Sequence, residues 1–123
     1  MASTTATLTL RFADQPVPLR VFWPPIGEKG IVVVFDERAD EAQRWCRSLC
    51  ADANLVVLTD AADLPTALSI VEWTADHATE LGSGRTTSGP ITLAGWGRGA
   101  AIARTVLAAA RAQGWPPLTL HSG

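Results

Sequence analysis

Cysteine is scarce in this sequence: Cys46 and Cys50 are the only two. They stand four apart in a predicted helix and share one face, where small side chains are expected to point into a core. A dithiol redox site or a zinc site calls for C-x-x-C spacing, or for further Cys and His ligands close by. Neither is present, so no metal and no cofactor are expected. Lysine is scarcer still. Lys29 and nine scattered arginines face twelve acidic residues, for a net charge of −2. That balance gives no basic stripe for nucleic acid and no basic amphipathic face for a membrane surface. Long apolar runs are missing too. The purest, "IVVVF" (residues 31–35), falls far short of the roughly 20 residues of a membrane-spanning helix. The start, "MASTTATLTL", lacks the basic-then-apolar order of a secretory leader. The expectation is a cytoplasmic protein in a reducing compartment. Its preference for Ala, and for Arg over Lys, suggests a bacterial source.

What is present suits a folded domain. With 47% hydrophobic and 18% charged residues in 123, the chain can bury a core and reads as one domain over residues 1–123. "TLTLRF" alternates, with Leu8, Leu10 and Phe12 on one side, and predicts an amphipathic strand. "VPLRVFW" alternates through Val17, Leu19, Val21 and Trp23. Pro18 confines that strand to an edge, or to a place where no N–H is needed. "IVVVF" and "NLVVL" are apolar at nearly every position, as in strands covered on both faces. Between them a helix is predicted over residues 40–51, with Ala42, Trp45, Cys46, Leu49 and Ala53 at helical spacing. Asp63 is placed to cap the next helix, with Pro65 in its first turn. Ala67, Ile70, Val71, Thr74, Ala78 and Leu81 line its inner face, and Gly82 ends it. "ITLAG" is a third covered strand, followed by a helix from about Arg98 to Gln113 that Gly114, Pro116 and Pro117 stop. "LTLH" closes the chain as a strand. The order β-β-β-α-β-α-β-α-β predicts an α/β fold with a mostly parallel sheet between helix layers.

These stretches resemble the N-terminal half of an α/β-hydrolase, closest to the esterases related to hormone-sensitive lipase. "VPLRVFWPP" is similar to the second strand of those enzymes, and "IVVVF" to the third, which leads into the oxyanion loop. "LPTALSIVEWTADHATELG" is similar to their helix B. "ITLAGWGRGAAIARTVLAAARAQGWPPL" is similar to the fifth strand, the nucleophile elbow and helix C. The resemblance implies a three-layer α/β/α unit with a six-stranded sheet in the order 1-2-4-3-5-6, strand 2 antiparallel. It covers nearly all of this chain and about half of such an enzyme.

The chemistry of the resemblance is missing at each point where it can be checked. The elbow pattern G-x-S-x-G reads Gly95-Trp96-Gly97-Arg98-Gly99 here, with glycine in place of the nucleophile. The stretch after "IVVVF" should offer a His followed by glycines. It reads Asp36-Glu37-Arg38 instead, and paired carboxylates repel a developing oxyanion. The family's acid and histidine follow its seventh and eighth strands, and no residue here matches them. The expected reading is a truncated pseudoenzyme with no catalytic residue, acting as a binding or assembly module.

A ligand, small or anionic, is expected at the old active-site crevice. Its walls would be Phe35, Asp36, Glu37 and Arg38 on one side and Trp96, Gly97 and Arg98 on the other, near a helix N-terminus. Against this stands a plain inherited turn. Two other readings compete. One is a hydrolase completed by a partner chain, or working by non-serine chemistry at Asp36, Glu37 and Arg38. The other is a dinucleotide module, since Gly95, Gly97 and Ala100 satisfy G-x-G-x-x-A, although no acid follows at Leu120-His121-Ser122. His77 and Asp76 read as a solvated helix end, and His121 as a surface residue. Trp45, Trp73 and Trp115 are expected to pack helices on the sheet, with Trp23 and Trp96 exposed. An apolar strip and an open edge at strand six predict a homodimer or a protein partner, bound through Leu118 and Leu120.

Overall fold

The computed structural model describes residues 4–12, 15–23, 30–36, 39–51, 54–60, 63–77, 91–95, 98–114 and 118–121. In chain order they form β1 (Thr4–Phe12), β2 (Gln15–Trp23), β3 (Gly30–Phe35), α1 (Ala39–Ala51), β4 (Asn54–Thr59), α2 (Leu64–Asp76), β5 (Ile91–Gly95), α3 (Arg98–Ala112) and β6 (Leu118–His121). The six strands make one sheet in the order β1-β2-β4-β3-β5-β6. β2 is antiparallel to both its neighbours, and β4, β3, β5 and β6 run parallel. This is the expected architecture, strand for strand.

Alternation along the strands divides the core in two. Leu19 and Val21 of β2, Ile31, Val33 and Phe35 of β3, Leu55 and Val57 of β4, and Leu93 of β5 meet α2 and α3 through Ala67, Ile70, Val71, Ala103 and Val106. The other face carries Phe22, Val32, Val34, Val56, Leu58 and Ala94 against Ala42, Cys46 and Cys50 of α1. Strands covered on both faces have no polar side to show, which explains the unbroken apolar runs of β3 and β4. Each fully buried Val, Leu or Ile contributes about 1.5–3 kcal/mol from removed apolar surface.

Several local expectations change. Trp45 is exposed, at 47% of its surface. The inner stripe of α1 is Ala42, Cys46 and Cys50, with Leu49 at its margin, so small residues let the helix lie close to the sheet. Trp23 is not exposed but half-buried against the larger core, on the Leu19–Val21 side of β2. Trp73 packs partly on that core, as expected. β2 is an interior strand despite Pro18. Its ladder to β4 begins at Leu19, one residue further on, so the missing N–H costs that ladder nothing. α2 is capped as expected, the Asp63 carboxylate accepting from the Thr66 N–H at 3.0 Å. It stops at Asp76 with His77 as C-cap, short of the expected Gly82; Ala78 and Leu81 lie outside the described residues. Gly114, at φ 73°, ends α3 in the left-handed conformation that favours glycine. The α1 face shows no apolar strip among the described residues, because Val32, Val34 and Ala94 are buried.

Candidate functional site

In this sheet β3 and β5 are neighbours whose chains depart in opposite directions. α1 leads from β3 to β4 on one face, and α3 leads from β5 to β6 on the other. That is a topological switch point, and the crevice at the carboxyl ends of the strands there is where open α/β sheets receive ligands. The glycines at this point are held by sterics. A Cβ on Gly99 would lie 1.7 Å from the Phe35 carbonyl oxygen. A Cβ on Gly95 would lie 2.4 Å from the Gly99 carbonyl. The first turn of α3 therefore rests directly on the ends of β3 and β5.

The expected crevice residues separate into groups. Phe35 is fully buried and belongs to the α2–α3 core, so its side chain forms no wall; only its backbone reaches the switch point. Arg98 opens α3. Glu37, Arg38, Trp96 and Gly97 lie outside the described residues, as does the side chain of Arg98. Leu118 and Leu120 stand in register with Ile91 and Leu93 of β5; their side chains are likewise outside the description. Asp36 is described and is 5% exposed. Its N–H donates to the Thr59 carbonyl at 3.0 Å, which ties the exits of β3 and β4 together one residue beyond their ladder.

Asp36 also borders a cleft of 190 Å³, with Thr7, Pro18, Arg20, Leu58, Thr59 and Asp60. The sheet register accounts for this group. Arg20 lies beside Thr7 of β1 and Leu58 of β4. Side chains two apart on a strand share a face. Arg20 thus falls on the side of Phe22, and Asp36 on the side of Val34, which is the α1 face. The reading from sequence alone missed Thr7, Pro18, Arg20 and Asp60. The signal was there in the second face of β2, Pro18-x-Arg20-x-Phe22, once that strand is placed beside β4.

The Cys46 thiol lies in the core on this α1 face, near enough to Asp36 and Arg20 to feel their charges. Burial first, then Cys50 and the Asp36 carboxylate, push its pKa from 9.0 up to about 12, while Arg20 pulls the other way. It stays protonated near neutral pH and is a poor nucleophile. Neither cysteine is in a disulfide, and no cluster of three or more metal-ligating side chains occurs among the described residues. His77 is a helix cap. Its Nδ1 lies 2.8 Å from the Trp73 carbonyl oxygen, and its ring stacks on the Trp73 indole with centroids 4.7 Å apart. No described helix is long and apolar enough to cross a membrane.

No protein-family model and no curated protein sequence matches the chain. Solved structures do match. A hyperthermophilic esterase from the archaeon Pyrobaculum calidifontis superposes with a TM-score of 0.78 at 23% identity, over 94% of this chain and 43% of its own. A thermostable esterase from Pseudomonas putida gives 0.76 at 22%, over 95% of this chain and 41% of its own. A thermophilic carboxylesterase cloned from a metagenomic library gives 0.75 at 21%, over 95% and 46%. The chain thus spans less than half the length of the esterases it matches. At this identity the likeness speaks for architecture, and the architecture it establishes is a partial α/β-hydrolase fold, as the sequence motifs implied.

Proposed function

We propose that this chain is a non-hydrolytic relative of the esterases whose fold it shares, acting as a binding or assembly module with its ligand at the carboxyl ends of the strands. Asp36 carries the reading. It follows β3 directly and is buried, where the resemblance calls for donors to a developing oxyanion. A carboxylate withdrawn from water repels that charge in place of stabilising it. Gly97 removes the attacking oxygen from the elbow as well. Esterase action belongs to the similar structures by name. For this chain it is the competing reading, and would need its base and acid from elsewhere or a role for Asp36 in catalysis. The dinucleotide reading is weaker, since β6 ends at His121 with no carboxylate to receive a ribose. The buried, undisulfided Cys46 and Cys50 agree with a reducing cytoplasm.

The test is hydrolysis of p-nitrophenyl acetate by the purified chain. We expect no turnover above the buffer rate, and none in Gly97→Ser, which restores a nucleophile without its surroundings. Turnover by the unaltered protein that disappears in Asp36→Ala would overturn the proposal, as would turnover gained in Gly97→Ser.

A further inference from the structure

We draw no further inference here: the strongest candidate, the apolar groove between the start of α2 and the first turns of α3, lined by Leu64, Ala101, Ile102 and Thr105, carries nothing because nothing in the structure shows what covers it.

Discussion

Cys46 is where burial changes a residue's chemistry most clearly. Its thiol titrates near 9.0 when exposed and near 12 in the fold, chiefly because burial disfavours the thiolate. The stabilising contribution is therefore fully present below pH 9, where both states hold the proton. It is lost as the pH rises from 9 toward 12, where only the unfolded chain releases it. Over that window the unfolding free energy should fall by up to about 1.4 kcal/mol per pH unit. Urea melts between pH 8 and 11, compared with those of Cys46→Ala, would show it, the variant lacking this part of the slope. Iodoacetamide at pH 8 should leave Cys46 unlabelled until denaturant is added. Asp63 is the opposite case. Its bonds to the side chain and N–H of Thr66 hold its carboxyl below the usual range. The cap it makes is present above pH 3.8 and fades as the pH falls through the lowered value. Asp63→Ala should lower the thermal midpoint at pH 7 and change it less near pH 3. That cap was legible in sequence, because an Asp two residues before a Pro at a helix start has one obvious use. Trp45 was misread for a matching reason. Its apolarity placed it on the inner face, whereas the close approach of α1 to the sheet selects the smaller Ala42, Cys46 and Cys50.

At the scale of elements, the junction of β3, β5 and α3 is the most constrained point described. Gly99 admits no side chain because the β3 backbone occupies the space, and a backbone cannot rotate away as a flexible side chain can. Gly99→Ala should destabilise by about 3 kcal/mol or more, the upper end of ordinary overpacking costs, as read from the urea midpoint. Ala100→Gly, one residue on, should cost only about 1 kcal/mol. Glycine spacing alone makes this junction legible in the sequence, as strict steric rules leave a signature there. The Arg20–Asp36–Asp60 cleft leaves none of that kind. Its residues sit on β2 and just past the ends of β3 and β4, 16 and 24 positions apart in sequence by their numbers, and meet only through the β2-β4-β3 order. The residue pattern yields each strand's two faces. Which strands lie side by side came from the family resemblance, and the cleft follows only when both are combined.

At the scale of the whole molecule, the sheet has two unlike margins. β1 is long and presents Thr5, Thr7, Thr9 and Arg11 to solvent on one face, the polar, charged dressing that discourages further pairing. β6, at the other margin, is a four-residue strand paired to β5 on its inner side. Among the described elements, its outer row of N–H and C=O groups is open to another strand. A two-fold axis would pair two β6 strands antiparallel and satisfy the open β6 row of each copy at once. The 123-residue chain should therefore associate as a dimer through β6. Trp45, exposed on α1, offers the rival surface, and the two are separable. Light scattering across a micromolar concentration series should show dimer for the unaltered chain and also for Trp45→Ala, since β6 pairing does not involve α1. Dissociation caused by Trp45→Ala would move the interface to the α1 face. A monomer at every concentration would rule out both surfaces.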